Sequence, residues 1–546
     1  MQAIPSAPKL DKFTLFELLD KRFCDGHKKL SQIPNPTLLQ DAQKSAKKIA
    51  EAVRSNKKIT VIGDYDVDGV SSTAIMIEFF RQIPYPLEAI IPNRFKDGYG
   101  ISPNVLDRVQ SDLIITVDNG ISAIEAAKIC QEKGIELIIT DHHTPSQTLP
   151  DAYAIVDPKL PNCNYPFKEI CGAQVAWLLL ALVKKELGLT IDMKQFLDIL
   201  AIAIIADVMP LIDINRILVK EGLALLMVSN RPASIIIRDF LNKSSISSED
   251  IAFQIAPRIN SAGRLEDASI ALDFFTATNI DVAYAQFEKL NKLNEQRKLT
   301  EAECTQEAIR EILNQVKDKK SSSLAATTQN LVNVVAGKNW HEGVVGIVAA
   351  RLVEHFGKPA IVLSIQDGTA KGSARSIGDV SIYKLIKENE HLLKKFGGHK
   401  MAAGLSLDVT HLDSFIEGVN KSASKLDPDD FIPKDILTGI ISSDMIDFEL
   451  LSLLENFEPY GEANPRPTFL IKDAYIVNVK TFGSDKSHSK ITLKFNQKDT
   501  KTVEFILFKK VLTIPKNRTI TCSYTINKNE FNSRISIQLL INKIYL

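Results

Sequence analysis

From residue 58 onward, short apolar runs alternate with helical patterns. KKITVIG precedes VSSTAIMIEFFRQI, DLIITVDNG precedes AIEAAKICQEKG, and ELIITDHH leads through a loop to AYAIVDP. Strands separated by helices predict βαβ units and a largely parallel sheet. Upstream, LLQDAQKSAKKIAEAVRS has the spacing of an amphipathic helix, so residues 1–55 read as a helical lead-in. Residues 172–242 read as helical around the apolar run LDILAIAIIADVMPL, and a long charged pattern over 281–320 predicts a connecting helix closed by the loop SSSLAATTQ. A second α/β unit follows over 330–425, then the linker KLDPDDFIPKD. Five alternating runs over 468–546 predict a small β-barrel, with the domain starting near 455.

A chain of 546 residues is too long for one hydrophobic core and divides into about three or four domains. Its net charge of +0 gives no support to nucleic-acid binding, so any basic surface must come from segregation of charge. Such segregation is present: over 471–546, Lys and Arg outnumber Asp and Glu by more than two to one. The six cysteines (Cys24, Cys130, Cys163, Cys171, Cys304, Cys522) form no CxxC pair, which argues against a zinc knuckle or a disulfide framework. The N-terminus lacks a signal-peptide pattern and the apolar run at 199–209 is too short to span a bilayer. These features predict a cytoplasmic protein with no membrane partner.

The sharpest chemical signal is VIGDYDVDGVSS, where Asp64, Asp66 and Asp68 follow an apolar strand and precede a helix. In an open α/β sheet that is the crevice beyond the strand carboxyl ends, where ligands bind. Three acids so close repel one another unless cations neutralise them. Two further strands end alike, in Asp118 and in Asp141-His142-His143, and AIAIIADVMPL delivers Asp207. Alone, each acid reads as a helix cap or loop hydrogen-bonder. Together they read as mixed carboxylate and imidazole ligands suited to Mn²⁺ or Mg²⁺. Two such ions would hold the attacking and leaving oxygens of a phosphoryl displacement.

DYDVDG, TVDNG, TDHH and ADVMP, in that order, resemble the signature blocks of the DHH phosphoesterase superfamily. GKNWHEGVVGIVAARL, KGSARS and FGGHKMAAG resemble its accessory DHHA1 domain, and APRINSAGRLEDA with the basic C-terminal β-domain narrows the resemblance to the RecJ branch. The implied architecture is α/β: a parallel-sheet DHH domain (56–280) joined by a long helix (281–320) to a smaller α/β DHHA1 domain (330–425), followed by an all-β OB-like barrel (455–546). The implied activity is 5′-to-3′ hydrolysis of single-stranded DNA to 5′-mononucleotides, in repair and recombination, with two divalent ions. The implied partners are single-stranded DNA with a 5′ end and a single-stranded-DNA-binding protein. By the same resemblance Asp66 would bind one metal, Asp68, His142 and Asp207 the other, and Asp118 would bridge them. Asp64 and Asp141 would be supporting acids, and His143 would stabilise or protonate phosphate oxygens. One position departs: related pyrophosphatases carry a metal-binding His where this chain has Ile62.

Substrate handling needs donors for phosphate. Arg94, Arg258, Arg264 and Arg375 can supply guanidinium forks, Asn260 and Ser373 lie in the same blocks, and His341 and His399 can touch phosphate or base. The resemblance implies that Ser373 and Arg375 hold the 5′-phosphate. In the barrel, Lys480, Lys486, Lys490 and Lys494 with Tyr475 and Phe482 would suit a single strand, backbone on lysines and bases on rings. Two alternatives remain open: a DHH enzyme acting on oligoribonucleotides or cyclic dinucleotides, and an inactive relative that only binds single-stranded DNA.

Overall fold

The architecture was obtained as a computed structural model, which describes residues 6–23, 28–321, 330–483, 486–512, 518–531 and 534–545. Most of the loop expected at 321–329, together with Cys24, lies outside the described residues. Two compact units emerge, one of residues 1–256, 272–284 and 435–546, the other of 257–271 and 285–434.

The first unit is built on a five-stranded sheet of order β2-β1-β3-β4-β5. Its strands are β1 (Ile59–Ile62), β2 (Glu88–Ile90), β3 (Leu113–Val117), β4 (Glu136–Thr140) and β5 (Ala154–Val156). All neighbours pair in parallel. The central strands β1 and β3 are buried throughout, as continuous apolar runs in a sheet covered on both faces should be. Helices Val67–Phe80, Ile124–Glu132 and Gly172–Leu187 supply that cover, and Leu197–Ala206, apolar but for Asp198, is buried from Leu197 to Ile205. Parallel pairing brings the carboxyl ends of β1, β3, β4 and β5 to one edge, which places the site.

The same unit contains a closed barrel of order β11-β12-β13-β15-β14: β11 (Thr468–Phe482), β12 (His488–Lys494), β13 (Val503–Leu507), β14 (Thr519–Phe531) and β15 (Arg534–Tyr545). Parallel pairing of β13 with β15, at Phe505 with Leu539 and Ile506 with Leu540, closes it. The N-terminal segment does not stand apart as a lead-in. Helix Lys12–Asp20 packs Leu15 and Leu19 into one core with Leu450, Phe457, Phe469 and Phe505, and Lys9 bridges Ile440. An isolated nine-residue helix would be marginal in water, so burial of that apolar face is what holds it.

In the second unit, β6 (Asn333–Lys338), β7 (Ala360–Gln366), β8 (Thr369–Arg375), β9 (Leu393–Gly398) and β10 (Ala402–Asp408) form a mixed sheet of order β6-β7-β8-β10-β9. Only β6 and β7 pair in parallel. The charged pattern forms one 42-residue helix, Ile280–Ser321. Residues 257–271 cluster with this unit, not with the first α/β domain as their sequence position suggests. Leu265 packs on the core of Cys304, Val344 and Val348, and the absence of a side chain at Gly343 lets its backbone approach the Arg264 carbonyl. Among the described residues no helix is long and apolar enough to cross a membrane.

Candidate metal centre and phosphate-binding residues

Backbone geometry presents the acids. The turn after β1 is tight because Gly69 lies against Asp64, where a Cβ would come within 2.6 Å of the Asp64 Cα. Asp66 caps helix Val67–Phe80 by accepting from the Gly69 N–H at 3.0 Å. Asp118 takes a left-handed backbone (φ 64°), a conformation Asp tolerates better than most residues. The neighbouring Asn119 fixes that turn, donating to the Ile62 and Val117 carbonyls and accepting from the Ile101 N–H. Gly172 is the second close approach, since a Cβ there would lie 2.5 Å from the Asp118 Cβ. Asp207 ends helix Leu197–Ala206.

These residues converge. His142 Nε2 stands 3.2 Å from Asp118, 3.6 Å from Asp207 and 3.7 Å from Asp68 carboxylate oxygens. Neighbouring ligands around a hexacoordinate cation at about 2.1 Å lie roughly 3 Å apart, so the spacing suits cation ligands. Three groups each bring one ligand atom within 4.8 Å of the others: Asp68, His142 and Asp207; Asp64, Asp66 and Asp118; Asp118, His142 and His143. Asp64 Oδ1, Asp118 Oδ1, His142 Nδ1 and Asp207 Oδ2 are buried without a hydrogen-bond partner, and three of these four atoms are carboxylate oxygens. Orphaned buried acceptors of this kind fit cations. Both oxygens of Asp68 accept from the N-terminus of helix Gly172–Leu187, from Gly172 N at 2.6 Å and Ala173 N at 2.9 Å. That contact fixes the carboxylate and leaves lone pairs for a cation. Ile62 is fully buried in β1, so the departing position serves the core.

The electrostatics point the same way. Burial, reinforced by neighbouring carboxylates, holds Asp64, Asp66 and Asp118 above the usual carboxylate range. Burial together with Asp68 and Asp66 pushes Asp207 up to about 9. Burial lowers His142, keeping its imidazole neutral and its lone pair available. Burial also disfavours a charged His143, but the 2.7 Å hydrogen bond to Asp141 and the negative charges of Asp141, Asp207 and Asp66 together outweigh that and raise it to about 9. Asp141 ends below its ordinary value: burial opposes ionisation, but bonds from His143 and the Ile121 N–H overcome it.

A sign follows. Without cations Asp207 keeps its proton in the folded state between about pH 4 and 9, where the unfolded chain has lost it, so stability falls as pH rises there; the upward shifts of Asp64 and Asp118 act in the same direction. We expect the melting temperature in chelator to drop from pH 5.5 to pH 8.5, and excess Mn²⁺ to stabilise more at the higher pH. A rise in chelator over that interval would contradict the assignment.

The phosphate candidates distribute over both units. In the first, Arg94 lies 5.3 Å over the Tyr65 ring, and Tyr99 sets edges against both Tyr65 and His143. In the second, Arg375 Nη1 donates to Ser373 Oγ and the Ala374 carbonyl, both at 2.8 Å. Gly346, in the first turn of helix Val345–Phe356, faces this pair, and a Cβ there would come 3.2 Å from Arg375 Nη2 and Ser373 Oγ. Arg258 donates to Asn291 at 2.6 Å and Arg264 to the Gly343 carbonyl at 3.2 Å, so both also brace the fold. Asn260 is half-buried in helix Ala256–Leu265, which also carries Arg258 and Arg264; His341 accepts from the Gly343 N–H, and His399 is exposed beyond β9. Trp340 bonds Glu307 on the long helix, a packing role. On the barrel, Lys480 pairs in register with Lys490 and Tyr475 with Lys494, while Lys490 is engaged by Glu504 at 2.7 Å. Lys486 is exposed in the turn before β12.

Two residues escaped the sequence reading. Asp157 follows β5 as Asp64 follows β1; it is fully buried and, through burial, raised to about 7. The strand-then-Asp pattern of AIVDP was its signal, masked by the following proline. His488, which no sequence motif singles out, is the first residue of β12 and lies against Phe482, tilted, and Phe508, edge-to-face.

Comparison with known proteins agrees with this geometry. Family models match for the DHH family, N-terminal domain, over residues 58–204, the DHHA1 domain over 327–425 and the RecJ OB domain over 438–543. The single-stranded-DNA-specific exonuclease RecJ of Haemophilus influenzae is 31% identical over 545 residues, covering 94% of this chain and 92% of that protein. The protein of the same name from Bacillus subtilis is 34% identical over 526 residues, covering 94% of this chain; the chain spans 64% of that relative. The crystal structure of RecJ from Thermus thermophilus in complex with Mn²⁺ superposes with a TM-score of 0.80 at 28% identity, covering 98% of this chain and 76% of that one. With its acid-tipped parallel sheet, DHHA1 domain and C-terminal barrel, the chain belongs to the RecJ family of DHH phosphoesterases.

Proposed function

We propose that this protein is a divalent-cation-dependent exonuclease that hydrolyses single-stranded DNA from its 5′ end to 5′-mononucleotides. The observation that carries the reading is the convergence of Asp64, Asp66, Asp68, Asp118, His142 and Asp207 at one sheet edge, with buried acceptor atoms lacking partners. In this reading Asp66 would hold one ion, joined by Asp64, which falls in the same ligand group and so becomes a ligand where the sequence implied only a supporting acid; Asp68, His142 and Asp207 would hold the other, and Asp118 would serve both. Two Mn²⁺ or Mg²⁺ ions, when bound, supply charge to phosphate oxygens and lower the pKa of an attacking water.

The remaining steps belong to side chains. His143 stays protonated at neutral pH through Asp141, and its ring is 44% exposed, so it offers a charged donor to a non-bridging phosphate oxygen. Arg94, beside Tyr65, neutralises an adjacent phosphate while the Tyr65 and Tyr99 rings offer faces to bases. Ser373, Arg375 and the N-terminus of helix Val345–Phe356 take the terminal 5′-phosphate, which sets polarity. The reading extends to a single-stranded-DNA-binding protein as partner, carried by the family, and to the cytoplasm, in keeping with five free cysteines among the described residues.

Product analysis on single-stranded DNA labelled at either end, with Mn²⁺, tests the whole reading. The 5′ label should leave first as a mononucleotide, and duplex should persist. Release from the 3′ end, or cleavage of di- and trinucleotides alone, would replace it with another phosphodiesterase activity.

The outward lysines of the barrel give a separate prediction. Replacing Lys480 and Lys494 together by Ala should weaken binding and reduce the slope of log K against log salt by about 1.4, at roughly 0.7 per phosphate contact on single strands. Lys490→Ala should do less, because Glu504 already neutralises that charge. Anisotropy titrations across salt concentrations measure this, and an unchanged slope would place these lysines away from DNA.

A further inference from the structure

Asp68 and Asp207 come from distant parts of the chain, yet one buried amide pair braces the supports of both. Asp68 rests on the Gly172 and Ala173 N–H groups. In that same helical turn, Gln174 Oε1 accepts from the Cys171 N–H at 3.1 Å, and Gln174 Nε2 donates to Asn215 Oδ1 at 2.8 Å. Asn215 Nδ2 then donates to two carbonyls, Glu169 at 2.8 Å and Pro210 at 3.0 Å. Glu169 lies in the segment entering the helix that holds Asp68. Pro210 lies in the short loop leaving Asp207, where Val208 adopts a left-handed backbone (φ 55°).

Both amides are fully buried. Only one orientation of Asn215 puts its NH₂ against two carbonyls and its oxygen against the Gln174 donor, so the pair cannot flip without stranding buried polar groups at about 1–3 kcal/mol each. We propose that the Gln174–Asn215 pair is a positioning device that fixes the separation of Asp68 and Asp207 and thereby the cation affinity of that half of the site. The inference rests on the metal-site reading above. It goes further in assigning cation affinity to two residues that touch neither cation nor substrate.

The test is Mn²⁺ binding by the apoprotein, followed by electron paramagnetic resonance, for the wild type, Asn215→Ala, Gln174→Met and the double variant, with Asp118→Asn as control. Each single change should weaken Mn²⁺ binding by about 10–100-fold, the range for groups that orient metal ligands. The Mn²⁺ concentration for half-maximal activity should rise by the same factor. At saturating Mn²⁺ kcat should return to within about threefold, because the ligands themselves remain, and DNA affinity in chelator should hold. The double variant should bind Mn²⁺ within about threefold of the weaker single, since the two amides act as one unit. Gln174→Met leaves the carbonyl bonds of Asn215 in place, so it decides the matter should Asn215→Ala fail to fold. Wild-type Mn²⁺ affinity in either soluble single variant would overturn the inference alone, with the control still impaired. A wild-type protein that binds no Mn²⁺, or a control that binds as well as wild type, would overturn the metal-site reading as well.

Discussion

Asp118→Ala is expected to abolish hydrolysis, with a fall in kcat on the order of 10³ or more, while single-stranded DNA binding stays within about threefold. The size follows from position. Residues that merely orient metal ligands typically cost about 10–100-fold when removed, and Asp118 falls in two of the three ligand groups, so its loss must exceed that range. Alanine also has to adopt φ 64°, at roughly 1–2 kcal/mol, so some loss of stability would accompany it. Asp118→Asn separates the two effects. Asparagine accepts the left-handed backbone and keeps the shape, but removes a carboxyl group whose ionisation burial and neighbouring carboxylates oppose. In chelator Asp118→Asn should therefore melt no lower than wild type, and higher at alkaline pH, while being as inactive as the alanine variant. Rates measured with saturating Mn²⁺, beside melting curves in chelator, check both. Turnover near wild type in either variant would remove Asp118 from the centre.

The acids were legible in the sequence because a parallel sheet converts a sequence rule into a spatial one. Every strand of such a sheet points its carboxyl end the same way, so acids that follow apolar runs must gather. Asp64, Asp118 and Asp141 could be placed on that rule alone, and Asp157 obeys it too. What holds the acids was not legible. The N–H groups that grip Asp68 belong to Gly172 and Ala173, and their approach depends on how one helix packs on another, which no local pattern records. The Gln174–Asn215 pair was hidden likewise, since a polar residue on a helix reads as solvent-facing until its neighbours are known. The barrel strands announced themselves by alternation, but the contribution of Leu15 and Leu19 to their core did not. Arg258 and Arg264 show the converse limit: guanidinium groups chosen for phosphate also tie the backbone together, and type alone does not separate the two uses.

Arg375→Ala is expected to lower kcat/KM on 5′-phosphorylated single-stranded DNA by about 10²–10³-fold, and on the 5′-hydroxyl substrate by far less. Hydrogen bonds to charged groups contribute about 1.5–3 kcal/mol each, and a planar fork can make two of them. The guanidinium is half-buried, and among the described residues no carboxylate lies within ion-pair distance; its partners are the Ser373 hydroxyl and a carbonyl. A desolvated cation facing neutral groups is costly on its own, and burial pulls its pKa down accordingly. Such a group stabilises a bound anion more than it stabilises the fold. Arg375→Ala should hence leave the melting temperature unchanged or raised, which distinguishes a binding role from a packing one. Arg375→Lys should fall between, keeping the charge but losing the fork, and Ser373→Ala should cost about tenfold by removing one neutral donor. The deciding number is the ratio of kcat/KM for the two substrates, well above one in wild type and close to one in Arg375→Ala. A ratio that survives the substitution would assign the terminal phosphate to another part of the chain, and the 5′ polarity with it.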